Sequence, residues 1–440
     1  MSEQATIAGK TSKEIAASVE AVIGAGALAP GAKLPSVRAL AGTLDVSPST
    51  VAGAFAQLRR RGLVISRPRS GLRVADRPPV GRLTRTIFVP EGVRDVASGN
   101  PDPALLPDVF AALRAVEGPV RLYGARAVDA DLEAVAAATL RAEQLDPTHL
   151  CVVNGALDGL ERVLALHVSG GDAVAVEDPG YSGVLDLVRP FGLIPVPVAM
   201  DDRGLRPEGL AAAVQAGVRA VILTPRGQNP TGSALDAERA AELRAVLADA
   251  PGVVVLEDDH LGPVAGAERH TLTTGRASWA AVRSTSKWLG PDLRLAVLVG
   301  DEQTIARVEG RQAVGPGWVS TIIQRTVAAL WADEAVVAGT GRAAAAYAER
   351  RGALLGALAA RGIAATGASG LNVWVPVEAE EVVGAGLLAK GWAVAAGSRY
   401  RLRSGPAVRI TVAELAPGDA ERLADDLAAV LAGGRRTRAA

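Results

Sequence analysis

Cysteine is nearly missing from this chain of 440 residues. Cys151 stands alone, so no disulfide framework exists and a reducing, cytoplasmic setting is expected. Long apolar runs are missing too. Each is broken by charge, Gly or Pro, so no membrane span is expected, and the start MSEQATIAGKTSKE carries no apolar core of signal-peptide length. No metal site is expected. Net charge is zero, which excludes a uniformly basic nucleic-acid binder but not a local one. Aromatics are few, at 3%, in a composition rich in Ala, Gly and Arg that we read as genomic. What is present is 49% hydrophobic and 21% charged residues, a globular balance over a length that calls for two or three domains.

Residues 1–76 read as a unit of their own. Thr11-Ser12-Lys13-Glu14 fits a capping box, and Ile15, Val19, Val22 and Ile23 recur at helical spacing. Gly31 and Pro35 end that helix. Ser36 can cap a short second helix that turns Val37, Leu40, Ala41 and Leu44 inward. After a turn at Asp45-Val46, Ser47 caps a third helix with Pro48 in its first position and Val51, Ala54, Phe55 and Leu58 on its buried face. LVISRPRSGLRVA, from Leu63, reads as a small β-wing.

Charge in this unit is lopsided. Between Gly31 and Arg73 stand Lys33, Arg38, Arg59, Arg60, Arg61, Arg67, Arg69 and Arg73 against Asp45 alone, a surplus of seven. A charge run by itself is more often a solvated surface; joined to helix, short turn, helix and wing it points to phosphate binding.

Residues 31–63, GAKLPSVRALAGTLDVSPSTVAGAFAQLRRRGL, resemble the GntR-type winged helix-turn-helix. The resemblance implies double-stranded DNA as partner, a recognition helix over roughly 47–60 in the major groove, contacts from Arg38, Ser47, Ser49 and Thr50, and Gly71 at the wing tip. Relatives often carry a long polar residue at Pro48 and a base-reading one at Ala52, so shape readout should carry more of the specificity. Residues 77–95, rich in Pro, Gly and Arg, read as a short stiff linker.

Beyond Val96 the pattern changes, and residues 96–435 read as one α/β domain. Buried-strand runs at 151–154, 173–177, 220–224, 253–257 and 296–299 alternate with amphipathic helices, the mark of a mostly parallel sheet. Ligands in such sheets bind at the carboxyl ends of the strands. There lie Gly155-Ala156, Asp178-Pro179-Gly180-Tyr181, Gln228-Asn229-Pro230-Thr231-Gly232, Asp258 and Ser284-Thr285-Ser286-Lys287, with Arg294 seven residues on. Each alone reads as a turn or a cap. The ordered set is hard to assign to chance.

That set resembles the fold-type-I aminotransferases, which bind pyridoxal 5'-phosphate. The resemblance implies a Schiff base at Lys287, Asp258 on the pyridinium nitrogen, Asn229 on the phenolic oxygen and Tyr181 stacked on the ring. It implies a phosphate cradle from Gly155 and Ala156 through backbone and from Ser284, Ser286 and Arg294 through side chains. Tyr123 would reach the phosphate of a partner subunit, and Arg409 would grip an α-carboxylate. The run from Ser98 to Pro103 also resembles a family segment, and no role is assigned to it. His260 replaces the usual Tyr, which should make the site pH-sensitive. Leu157 and Arg283 stand where Gln and Gly are common. A GntR reader ahead of such a domain resembles the MocR-like regulators. That implies a PLP-dependent transcriptional regulator with PLP or a small amino compound joined to it as effector, and a head-to-tail homodimer. A working aminotransferase with an appended DNA-binding domain is the alternative, and a degenerate scaffold without cofactor is a third reading.

Overall fold

The computed structural model describes residues 7–24, 27–29, 31–60, 63–67, 71–74 and 89–439. The chain divides into two compact units, one built on the N-terminal residues with 168–173 and 186–195, the other on the remainder.

In the first unit the capping box forms as expected. The Glu14 amide donates to Thr11 Oγ1 and the Thr11 amide returns a bond to the Glu14 carboxylate, opening α1 (Ser12–Gly24). Ser36 caps α2 (Val37–Leu44) through the Ala39 amide, and Asp45 closes it in the left-handed region, φ 51°. α3 (Pro48–Arg60) follows. Ile15, Val19, Leu40, Val51, Ala54, Phe55 and Leu58 form the shared core, closed by Val64 and Val74 of the wing. Gly53 sits where α1 meets α3; a Cβ there would lie 2.8 Å from Ser12 Oγ, which would have to turn away from the Thr50 carbonyl it bonds. Strands β1 (Val64–Arg67) and β2 (Gly71–Val74) pair antiparallel. Residues 68–70 of the expected wing turn, and 75–88 around most of the expected linker, lie outside the described residues. The last part of that linker is not loose: Arg94–Asp95 forms β3, paired parallel with β13 (Trp392–Ala393).

The second unit is built on an eight-stranded sheet. Its strands are β4 (Leu150–Val153), β5 (Ala173–Asp178), β6 (Ile194–Asp201), β7 (Gly204–Leu205), β8 (Ala220–Leu223), β9 (Val254–Asp259), β10 (Trp279–Ser284) and β11 (Ala296–Gly300), in the order β4-β11-β10-β9-β8-β5-β6-β7. β5, β8, β9 and β10 run parallel, buried on both faces as their continuous apolar runs require. β11 departs from the mostly parallel expectation, running antiparallel to both β10 and β4. Only residues 285–295 join it to β10, too few for a crossover helix. The sheet is therefore parallel at its centre and carries antiparallel pairs towards both edges, β7 pairing antiparallel with β6 at the far one.

A smaller sheet of β12 (Asn372–Pro376), β15 (Ala407–Thr411) and β14 (Ala395–Ala396) packs with the long helix Glu334–Ala360 and the helix from Pro417 around Leu354, Val373, Trp392, Val408, Ile410 and Leu427. Among the described residues no helix is long and apolar enough to cross a membrane.

Candidate functional site

Two sites follow from this frame. In the first unit, Ser47 Oγ accepts from the Thr50 amide and lies 2.7 Å from both Ser49 Oγ and Thr50 Oγ1, so a knot of hydroxyls marks the start of α3. Ser47, Ser49 and Arg38 are exposed and Thr50 half-buried. Gly71, with φ +79°, is exposed at the start of β2. The structure thus presents all five expected DNA-contacting residues at the surface of this unit.

The second site gathers at the carboxyl ends of β4, β5, β8, β9 and β10. β9 ends in three consecutive buried acids, Glu257, Asp258 and Asp259. Glu257 accepts from Arg269, Thr271 Oγ1 and the Leu272 amide. Asp259 is ringed by Arg226 at 3.1 Å, Arg283 at 2.7 Å and Arg269 at 3.6 Å, and Arg226 and Arg283 both also reach Glu143. Burial opposes the charge on Asp259, but Arg283, Arg226 and Arg269 outweigh it and hold the carboxyl below the usual range. Three arginines face three carboxylates, and Asp258 is left over. It is 2% exposed, its Oδ1 has no hydrogen-bond partner, and among the described residues no cation forms an ion pair with it. Burial, and then the charge of Asp259, push its carboxyl up to about 7. Such a group fits a ligand that brings its own protonated nitrogen.

Lys287 lies in the connection after β10. Burial, then the charge of Arg409, lower its amine to about 8. A lysine so tuned carries far more free amine near neutrality than an ordinary one and suits attack on a carbonyl. Its Nζ donates to the Gly99 carbonyl at 2.7 Å. Ser284 Oγ and Ser286 Oγ stand 3.2 Å apart beside it. Arg294, left-handed at φ 46°, turns its guanidinium over Gly155; a Cβ there would lie 2.7 Å from Arg294 Nη2, which only glycine permits. Gly155 leads directly into the helix Ala156–His167. Two hydroxyls, a guanidinium and a helix start make a cradle suited to an anion.

Asn229 Oδ1 accepts from Arg409 Nη1 at 2.9 Å. Arg409 is 3% exposed on β15, bonds the Ala97 carbonyl through Nη2, and lies 4.9 Å from the Tyr400 ring centre. Tyr181 packs over Gly183, where a Cβ would lie 2.4 Å from the ring. Its loop is tied down by Asp178, whose carboxylate accepts from the amides of Leu402, Arg403 and Ser404. Leu157 is half-buried in the first turn of the helix after Gly155. His260 is held to about 4 by burial and then by the charge of Lys287. It stays neutral at ordinary pH, so the expected pH sensitivity belongs to Lys287 and Asp258. Tyr123 stands apart from the cluster, 93% exposed with its ring edge-on to Trp318. Among the described residues no group of three or more His, Cys, Asp or Glu is placed to hold a metal ion.

Sequence reasoning missed the arginine ring and the segment Ala97–Gly99. Three adjacent acids in a strand apolar on both sides were the available signal, since buried charge needs distant partners. Nothing in the pattern announced two backbone carbonyls as contacts.

This architecture defines an aminotransferase-type α/β protein carrying a winged DNA-reading unit. Residues 91–427 match the aminotransferase class I and II family, and residues 11–74 match the bacterial regulatory proteins of the gntR family. The chain is 38% identical to the vitamin B6 salvage pathway transcriptional repressor PtsJ of Salmonella typhimurium, across 96% of this chain and 98% of that protein. It is 28% identical to the HTH-type transcriptional regulator TauR of Rhodobacter capsulatus across 79% of each. The fold is that of the α-aminoadipate aminotransferase LysN from Thermus thermophilus, solved with N-(5'-phosphopyridoxyl)-L-leucine, at a TM-score of 0.68 and 23% identity over 78% of this chain and 93% of that one. The chain belongs to the MocR-like regulators, in which a GntR unit precedes an aminotransferase class I and II domain.

Proposed function

We propose that this protein is a transcriptional regulator whose residues 96–435 bind pyridoxal 5'-phosphate and whose residues 1–76 bind double-stranded DNA in response, with 77–95 as linker. The observation that carries the reading is Asp258, a buried carboxylate left without a cation at the strand end beside the one that leads to Lys287. The cofactor supplies a protonated ring nitrogen for Asp258 and an aldehyde carbon for Lys287. Lys287 attaches the cofactor, Ser284, Ser286, Arg294 and the backbone of Gly155 and Ala156 hold its phosphate, and Tyr181 covers the ring. Asn229 and His260 serve the phenolic oxygen. Arg409 takes the carboxylate of an amino compound joined to the cofactor, so the effector is PLP or such an adduct.

A cytoplasmic head-to-tail homodimer completes the reading. Val120, Leu122 and Tyr123 are 87%, 72% and 93% exposed. An apolar strip so open suits a second copy, with Tyr123 turned to that copy's phosphate. The N-terminal site adds the surplus of seven positive charges and the hydroxyl knot at α3, both suited to phosphate.

The test uses the full chain. Purified protein with pyridoxal 5'-phosphate should show a near-ultraviolet to violet absorbance band that borohydride fixes at Lys287 and that Lys287→Ala abolishes. Operator DNA titrated with and without the cofactor should show different affinities. A band unchanged in Lys287→Ala, or identical DNA affinities, overturns the proposal.

A further inference from the structure

The residues Ala97–Gly99 pass through the ligand pocket and use its two reactive groups. The Gly99 carbonyl accepts from Lys287 Nζ at 2.7 Å, and the Ala97 carbonyl accepts from Arg409 Nη2. Gly99 sits at φ +73°, and a Cβ there would lie 3.1 Å from Arg409 Nη2, so the close pass is built for glycine. Both ends of the segment are fixed elsewhere. Upstream, the Val96 amide donates to Ala393 and its carbonyl accepts from Thr411. Downstream, Asp102 pairs with Arg350 at 2.9 Å and its amide donates to Tyr347 Oη. Between these anchors the amides of Ala97 and Ser98 bond only to the neighbouring Asp95 carboxylate, and that of Asn100 to Ser98 Oγ.

The geometry points to Ala97–Gly99 as an internal competitor of the effector, a strap that the cofactor frees at Gly99 and a carboxylate-bearing amino compound frees at Ala97. This rests on the reading of Lys287 and Arg409 given above. In the first step the neutral Lys287 amine condenses with the aldehyde of pyridoxal 5'-phosphate. A C=N bond forms, the carbonyl oxygen leaves as water with the two amine hydrogens, and the Gly99 carbonyl loses its donor. In the second, the nitrogen of an amino compound replaces Lys287 on that carbon: the new C=N bond forms, the bond to Lys287 breaks and the two amine hydrogens pass to Nζ. Lys287 can then donate to the Gly99 carbonyl again, while the carboxylate of the compound takes Arg409 as a two-point ligand and displaces the Ala97 carbonyl. An amine without a carboxylate frees Lys287 to hold Gly99 again and leaves Arg409 on the Ala97 carbonyl. The site thus ranks ligands by how much of the strap they free. The strap continues backward into β3, formed by the last residues of the linker.

Hydrogen exchange on the full-length protein tests this, with absorbance recorded on the same samples. With pyridoxal 5'-phosphate alone, the peptide spanning residues 96–101 should exchange about tenfold faster as the Gly99 contact is lost, and it should stay fast once L-alanine is added, the Ala97 contact then being lost in its place. Methylamine in place of L-alanine should bring the rate back towards its cofactor-free value. Lys287→Ala should show the first increase without any cofactor. Exchange of this peptide unchanged while the absorbance band forms overturns the strap and leaves the cofactor reading standing. A rate with methylamine equal to that with L-alanine overturns the role of Arg409 in it. No band in the wild type overturns both readings.

Discussion

Asp258 and Asp259 are neighbours on one buried strand, yet their proton affinities diverge, because three arginines surround one and none pairs with the other. The consequence is a pH dependence with a definite sign. Asp258, raised to about 7, becomes an anion only as pH rises through that value, and pairing with a protonated ring nitrogen requires the anion. Lys287, lowered to about 8, gains its free amine in the same direction. Both act together, so cofactor affinity, followed by absorbance, should climb between about pH 6 and 9 with no further step near 4 from His260. An affinity that falls across that range would contradict the assignment. Asp258→Asn should weaken cofactor binding about ten- to a hundredfold, since a charged hydrogen bond contributes about 1.5–3 kcal/mol. Arg283→Gly, the residue common among relatives, strips a cation from Asp259 and Glu143 and should cost about 3–5 kcal/mol of stability in urea denaturation. At this scale the sequence announced Asp258 and Asn229 because each follows a strand run, and Lys287 and Arg294 because they stand ahead of the run at 296–299. Arg226, Arg283 and Glu143 were illegible because their partners lie far along the chain, Glu143 and Arg283 being 140 residues apart.

Elements were more legible than residues where local rules act alone. The caps at Thr11, Ser36 and Ser47 set the helix starts, and apolar runs at 151–154, 173–177, 220–224, 253–257 and 296–299 became β4, β5, β8, β9 and β11. β10 escaped notice because WAAVRS carries a buried arginine next to its last residue, whose burial its ion pairs with Asp259 and Glu143 explain. The antiparallel sense of β11 escaped because direction is set by the length of the connection and not by the strand. Close approach of elements leads to a separate test. Gly53→Leu drives a side chain into Ser12 across the α1–α3 contact, where a Cβ alone would sit 2.8 Å from Ser12 Oγ. The N-terminal unit should lose helix packing by about 1–3 kcal/mol, and operator binding with it, while the cofactor band stays. Loss of the band in that variant would mean that the pocket depends on residues 1–76.

On the scale of the whole molecule, the reading stands or falls on coupling between two sites in one chain. If cofactor changes operator affinity by some factor, operator DNA must change cofactor affinity by the same factor, because both belong to one thermodynamic cycle. Coupling energies of this kind run about 1–3 kcal/mol, a change of about 5- to 150-fold, well within reach of a titration. Arg38 supplies the control. It is exposed at the start of α2 and lies in a different unit from Lys287 and Asp258. Arg38→Ala should weaken operator binding and reduce the slope of log affinity against log salt by about one, as one phosphate contact is lost. The cofactor band should not change. In that variant the operator's effect on cofactor affinity should keep its full factor once DNA is raised to saturation, because the coupling belongs to the bound states and not to the contact removed. An enzyme carrying an idle DNA-binding unit predicts otherwise: equal cofactor affinity with and without DNA, and turnover of amino donors with keto acids at about 1 to 1,000 per second. Reciprocal factors with no turnover identify the regulator; turnover with no coupling identifies the enzyme.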